Sequence, residues 1–283
     1  MIYEVLKNFE LPNMEFILYT GDYLSVQEDL GIVEGPWFTY SREKTSERSI
    51  NSILFPCFSF DGWSGRTLQF PTGWTPIPKW EHIMQKNSLF NEHHNINSRI
   101  PKAMWRGSSQ GSPYIREAFV NFSATEGGSS VSDVKFSVFF DPKTNLEYIS
   151  LEDHCNWKYL LHLRGVSYSG RLKYLLSCGS VVIIVKNNFE EFYYHKLPGN
   201  VLFTANESTP NELLQIVKDL ENDEERQQKL AKSVQAFVET FLSQDAIHCY
   251  MYKVLKQYGS LMSYDIQLNP LSRKYTAENY MNE

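Results

Sequence analysis

Val181-Val182-Ile183-Ile184-Val185 is a run of five β-branched residues with no polar face. A strand with that pattern has to be covered on both sides, as strands of parallel sheets are. Just before it, Arg171 to Ser177 carries Leu172, Leu175 and Leu176 on one helical face, and Gly179 stands where a helix stops. A helix feeding a doubly buried strand is part of a parallel β/α unit, and similar units recur upstream. Ala103-Met104-Trp105-Arg106 reads as a strand, Gly107 to Gly111 as a loop, and Ser112-Pro113 as the start of a helix. Val134 to Phe140 is a strand stopped by Asp141-Pro142, and Tyr159 to Leu163 is another short run. Phe16 to Tyr19 reads as a buried strand ending at Thr20-Gly21-Asp22. Thr209-Pro210-Asn211-Glu212 is a capping box, and Leu230, Val234, Phe237, Val238 and Phe241 mark the apolar face of a further helix. Strands alternating with helices predict an α/β fold with parallel sheets.

At 283 residues the chain is long enough for about two domains. The boundary falls near Asn95 to Ile100, where a loop-rich, aromatic first half gives way to regular β/α alternation. Ser52 to Trp80 carries prolines at 56, 71, 76 and 78, which excludes a long helix or a central strand and leaves a long aromatic loop. A net charge of −6 disfavours a broad nucleic-acid surface, while a local basic pocket stays possible. Cys57, Cys155, Cys178 and Cys249 form no C-x-x-C pair, so they are expected to be small buried residues rather than a zinc or redox motif. No basic n-region precedes an apolar stretch, and the longest apolar run is too short to span a bilayer. The expectation is a cytoplasmic protein without a transmembrane segment, with a secretory lumen reserved for a truncated N-terminus. The glycosylation sequons at Asn121 and Asn206 matter only in a secreted chain.

The chain lacks G-x-G-x-x-G, a P-loop and H-E-x-x-H, and none of its ten aspartates forms D-x-D. This argues against a diphosphate held through a carboxylate-bound metal. Trp105-Arg106-Gly107-Ser108-Ser109 puts a guanidinium beside a strand-to-helix loop, which suits an anion and equally suits a surface ion pair. Leu163 to Arg171 leads small and hydroxyl residues into a helix with Arg171 in its first turn. The helix dipole disfavours a cation there unless an anion sits with it; a solvated arginine is the plain alternative. Asp22 follows a strand, where it suits a general base or an ordinary turn residue. A competing motif, Gly107-Ser108-Ser109-Gln110-Gly111, fits the G-x-S-x-G elbow of a serine esterase, with Asp141 or Asp153 and His195 or His248 to complete a triad. A non-catalytic sugar-binding module using the aromatic loop is a third reading.

Three segments then carry a resemblance: Lys102 to Ser108, Asp153 to Leu160, and Gly165 to Val182, followed by Glu190-Glu191-Phe192-Tyr193-Tyr194. They resemble the CAP10/KTEL glycosyltransferases, glycosyltransferase family 90, over about Phe16 to Phe241. The resemblance implies a GT-B-like fold of two Rossmann-type domains with a cleft between them. The ranges are 1–98 for an acceptor-side domain, 99–245 for a UDP-sugar-binding domain, and 246–283 for a helical segment packing back on the first. It implies an inverting, metal-independent transfer of xylose or glucose from a UDP-sugar to a hydroxyl of a glycan or glycoprotein, with no cofactor. It implies Asp22 as general base. Arg106, Gly107, Ser108, Val166, Ser167, Tyr168, Ser169, Gly170 and Arg171 match the UDP-sugar contacts, and Phe58, Phe60, Asp61 and Trp63 the acceptor region. Leu24 stands where the family often has proline. Short forms of this sort occur in large DNA viruses, where the address would be the host cytoplasm.

Overall fold

The computed structural model describes residues 1–21, 37–46, 51–62, 78–109, 111–137, 147–204 and 209–263. Two parallel sheets organise them. The first joins β1 (Ile17–Tyr19), β2 (Trp37–Thr39) and β4 (Ile53–Leu54) in that order. The second has the order β10-β8-β7-β5-β6, from Leu202–Phe203, Val181–Ile184, Trp157–His162, Ile100–Gly107 and Ser132–Phe136, every pair parallel. A short antiparallel pair, β3 (Arg42–Glu43) with β9 (Phe189–Glu190), links the two halves. Arg42 Nε donates to Glu190 Oε1 across it at 2.7 Å.

The doubly buried strand is observed as expected, and side-chain alternation shows why. In β8, Val181 and Ile183 join one apolar cluster while Val182 and Ile184 join the other. In β5, Ala103 and Trp105 face one way and Met104 the other; β7 divides Tyr159 and Leu161 from Leu160 in the same manner. Helices cover both faces. Phe119 of α3 (Pro113–Ser123), Val131 of α4 (Glu126–Val131) and Leu213 of α6 (Asn211–Glu221) lie in one cluster. Trp80 of α2 (Trp80–His93), Leu172 of α5 (Leu172–Ser177), Val234 of α7 (Glu224–Phe241) and Met251 of α8 (Gln244–Leu261) lie in the other. Each fully buried aliphatic or aromatic side chain contributes roughly 1.5–3 kcal/mol, so the covered faces supply the main driving force. The second cluster also takes in Phe38, Leu54 and Phe60, so both sheets share it. Trp80 Nε1 donates to the Leu242 carbonyl at 2.6 Å, tying the start of α2 to the α7–α8 junction. α8 meets α1 (Ile2–Asn8) near Phe9, which stacks on Tyr252 with ring centroids 4.6 Å apart, and Tyr250 donates to the Leu54 carbonyl at 2.7 Å.

Several local expectations shift. β1 is an edge strand among the described residues, with Ile17 45% exposed, rather than a buried one. Phe241 is 41% exposed, so the apolar face of α7 ends at Val238. β6 spans Ser132–Phe136; Asp141 lies outside the described residues. Ser112 does precede α3, yet its hydroxyl caps nothing in the helix and donates instead to the Gly165 carbonyl at 2.6 Å. Thr209 Oγ1 donates to Glu212 Oε1 at 2.7 Å, with α6 starting at Asn211. Gly179, at φ +61°, ends α5 in the left-handed conformation expected of a helix stop.

The cysteines depart further. Cys155 and Cys178, 23 residues apart, form a disulfide that staples the turn before β7 to the end of α5; Cys57 and Cys249 are free. No spacing rule pairs them, because the two segments meet only through the sheet. Replacing both by serine should lower stability by about 2–4 kcal/mol. Thermal unfolding with and without a thiol reductant checks this: the wild type should melt lower when reduced, and the double variant should not respond.

Candidate functional site

The order β10-β8-β7-β5-β6 places its reversal between β5 and β7: the chain leaves β5 toward β6 on one side, then returns to build β7, β8 and β10 on the other. In open α/β sheets the ligand crevice is expected outside the carboxyl ends of the strands at such a point. The two loops in question are Ser108 to Ser112 after β5 and Leu163 to Arg171 after β7, the same two that carry the expected anion contacts.

Their contacts are specific. Gly111 has φ +95°, and a Cβ on it would lie 2.6 Å from the Val166 amide nitrogen, so glycine is required both by conformation and by space. Ser112 bonds Gly165 as above. Arg116, in the first turns of α3, donates from Nη1 to the Ser108 carbonyl at 2.8 Å and from Nε and Nη2 to the Arg164 carbonyl at 3.1 and 2.9 Å. One guanidinium thereby holds both loops. Arg171 donates to the Arg106 carbonyl, which brings its side chain over the end of β5. The guanidinium carbons of Arg116 and Arg171 sit 5.4 and 5.6 Å from the ring of buried Trp105. Arg164 lies 5.6 Å from the Phe189 ring.

Three arginines therefore converge at the crevice, and their mutual repulsion is visible. Burial, then the charge of Arg116, lowers the Arg171 pKa to about 10. Burial and Arg164 lower that of Arg116. His162, buried at the carboxyl end of β7 with Nε2 3.4 Å from the Tyr194 hydroxyl, is pushed down to about 3 by burial and by Arg171 and Arg116, so it stays neutral. Such a cluster can receive an anion.

The expected residues distribute unevenly. Gly107 lies against Trp105, and a Cβ there would be 3.1 Å from Arg171 Nη2. Ser108 is half-buried, Val166 is 48% exposed, Ser167 and Tyr168 are buried, and Ser169 and Gly170 are half-buried on the same loop. Arg106 turns away from the cluster. Its guanidinium donates to the Asp133 carboxylate at 2.8 Å, to the Asp133 and Trp105 carbonyls at 2.6 and 3.0 Å, and to the Glu147 carbonyl at 3.1 Å. Alternation explains this: Trp105 and Arg106 point to opposite faces of β5. On the other side, Phe58 is 43% exposed and Asp61 exposed, whereas Phe60 is core, packed edge-on against Trp80 and Phe192. Asp22 and Trp63 lie outside the described residues. Arg116 and Arg164 were not among the expected contacts. An arginine in the first turns of α3 was the available signal for Arg116, since the dipole disfavours it as it does at Arg171.

Among the described residues the esterase arrangement does not form. A nucleophile elbow needs a strained serine backbone, yet no described non-glycine residue has positive φ. Asp153 accepts from Ser150 at 2.7 Å, and His248 bonds Gln244 at 2.9 Å.

The fold is of the α/β class with parallel sheets, and comparison of the chain with known families names the family. The model of glycosyl transferase family 90 matches residues 1–281, and the chain belongs to that family. It is 28% identical over 274 residues to O-glucosyltransferase rumi of Drosophila melanogaster, covering 91% of this chain and 62% of that protein. It is 28% identical over 271 residues to protein O-glucosyltransferase 1 of Homo sapiens, covering 90% and 64%. The chain thus spans somewhat under two thirds of the length of these relatives. A structure of Anabaena Alr3699/HepE with UDP and glucose overlaps 60% of this chain and 52% of that one at 13% identity and a TM-score of 0.36.

The cytoplasmic address read from the sequence is overturned. It conflicts with the relatives, which are protein O-glucosyltransferases. The Cys155–Cys178 disulfide agrees, because such bonds persist in oxidising compartments. No described helix is long and apolar enough to cross a membrane.

Both His162 and His154, the latter also buried and held near 3, are neutral when folded. The unfolded chain binds protons on them near pH 6.5, so folding stability is full above that pH and is lost as the pH falls through the window from 6.5 to about 3. Each histidine contributes a slope of up to about 1.4 kcal/mol per pH unit. Denaturant unfolding at pH 7 and pH 5 should show His162→Gln losing less between the two than the wild type loses.

Proposed function

We propose that the chain transfers a sugar from a UDP-sugar to a hydroxyl of a protein or glycan acceptor, inverting the anomeric carbon and using no metal. The observation that carries this reading is the convergence of Arg116, Arg164 and Arg171 on two loops at the switch point of the parallel sheet. A diphosphate is an anion that arginine side chains on such loops suit. Glucose is favoured over xylose as the transferred group, and a protein as acceptor, by the relatives being protein O-glucosyltransferases.

In this reading the two parallel sheets are the cores of a GT-B-like pair, residues 1–98 and 99–245, with 246–283 returning to the first. Gly107, Ser108 and the loop Val166-Ser167-Tyr168-Ser169-Gly170-Arg171 receive the UDP-sugar, with Arg116 fixing the loops. Arg106 supports β5 from its other face through Asp133. Phe58 and Asp61 face the acceptor, and Phe60 anchors their turn in the core. Asp22 takes the proton of the acceptor hydroxyl, the oxygen attacks C1, and the bond from C1 to the diphosphate breaks as UDP leaves. The arginines stabilise the charge developing on UDP, so no separate acid is needed.

Calorimetry with UDP alone tests the donor site; glycan binding without UDP affinity would replace this reading with a sugar-binding module. Arg171→Ala should lower kcat/KM by about 10²–10³, with Arg171→Lys recovering part because the bidentate fork is lost. Unchanged UDP affinity in Arg171→Ala would remove it from the site.

Asp22→Asn should keep UDP binding and slow transfer by about 10²–10⁴-fold. Transfer assayed in EDTA should continue, and a strict Mn²⁺ or Mg²⁺ requirement would refute the metal-free route.

A further inference from the structure

One buried ammonium joins the loop after β7 to the turn at Phe58–Phe60. Lys173, in the first turn of α5, is fully buried. Its Nζ donates to Ser59 Oγ at 2.6 Å and to the Gly170 carbonyl at 2.7 Å. It also lies 4.5 Å from the centroid of the Phe60 ring and 4.4 Å from that of Tyr174. The next residue, Tyr174, donates its hydroxyl to the Ser59 carbonyl at 2.9 Å. Ser59 is thus gripped at side chain and backbone by consecutive residues of one helix. A Cβ on Gly170 would stand 3.4 Å from the same Ser59 Oγ.

Packing alone does not call for a charge here. Burying an ammonium is costly, and an apolar side chain of similar volume often serves stability as well or better. Desolvation lowers the pKa of Lys173, but Cys57, Tyr174 and Glu191 outweigh it and hold the group above its ordinary value, so it stays protonated. Glu191 is itself buried, with one oxygen accepting from Tyr193 at 2.9 Å and the other without a hydrogen-bond partner among the described residues. A protonated amine held under these conditions bonds one loop that the donor site uses and one turn that the acceptor side uses.

We infer that Lys173 is a positioning residue that couples occupation of the loop Gly165–Arg171 by a nucleoside diphosphate to the order of the turn Phe58–Phe60 and its neighbour Asp61. This rests on the donor-site reading above. A diphosphate that fixes the loop fixes the Gly170 carbonyl. Lys173 passes that restraint to Ser59, and with it to the exposed Phe58 and Asp61. The acceptor side is then set only once the donor is bound.

UDP alone is the probe, and hydrogen–deuterium exchange is the readout. The reporters are the amides of Phe60 and Asp61, bonded to the Cys57 and Phe58 carbonyls. In the wild type, saturating UDP should slow their exchange roughly tenfold, about the worth of one charge-assisted hydrogen bond. Lys173→Met and Ser59→Ala should still bind UDP by calorimetry yet lose the slowing. Ser59→Ala removes only a hydroxyl and serves if Lys173→Met does not fold. A purely structural Lys173 would change the exchange of this turn equally with and without UDP. UDP binding with the same slowing in both variants, or with none in the wild type, overturns the coupling and leaves the donor site standing. Failure of the wild type to bind UDP overturns the donor-site reading itself and the coupling with it.

Discussion

A parallel sheet has to be covered on both faces, and the rest of this molecule follows from that requirement. Strands β5, β7 and β8 alternate their side chains into two apolar clusters, and helices close each face. Once both faces are sealed, the open places are the edges and ends of the sheet. The change of direction between β5 and β7 brings their outgoing loops together at the carboxyl end, where Arg116 ties one to the other. The place expected for a ligand is therefore set by topology before any residue in it has a chemical task.

The partners that hold the charges gathered there include neutral ones. Arg116 and Arg171 spend donors on backbone carbonyls of Ser108, Arg164 and Arg106, and lie on the face of Trp105. Carbonyls and a ring fix geometry without cancelling charge, and burial strengthens the field that remains. Arg106 is treated differently: on the opposite face of β5 it meets the Asp133 carboxylate and becomes part of the framework. One strand thus carries an arginine paired with a carboxylate on one side and, by way of Trp105, a bed for Arg116 and Arg171 on the other. His162 and His154 stay neutral beneath this field because burial and the arginines both oppose a further positive charge.

Much of this was legible in the sequence where the signal is local. The β5–loop–α3 and α5–Gly179–β8 units are found where periodicity and punctuation put them, and Arg171 stands at the head of its helix. Ser112-Pro113 marked the start of α3 correctly, but the hydroxyl went to Gly165, because a carbonyl 53 residues away became a nearer partner than the helix amides. The gripping of Ser59 by Lys173, the pairing of Cys155 with Cys178 and the holding of two loops by Arg116 left no readable trace. Each joins segments brought together only by the sheet.

The sequence by itself determined the class of fold, the segments that become loops at the carboxyl ends of strands, and, through long ordered motifs, the family. Those properties rest on period, punctuation and residue order, which are local. Only the tertiary structure decided which arginine faces the crevice and which is neutralised, that Phe60 is core while Phe58 is exposed, and that two of four cysteines are joined. The physical reason is that charge and burial are properties of neighbours in space. A guanidinium beside a carboxylate and one on an indole ring are the same residue in a sequence; only packing tells them apart.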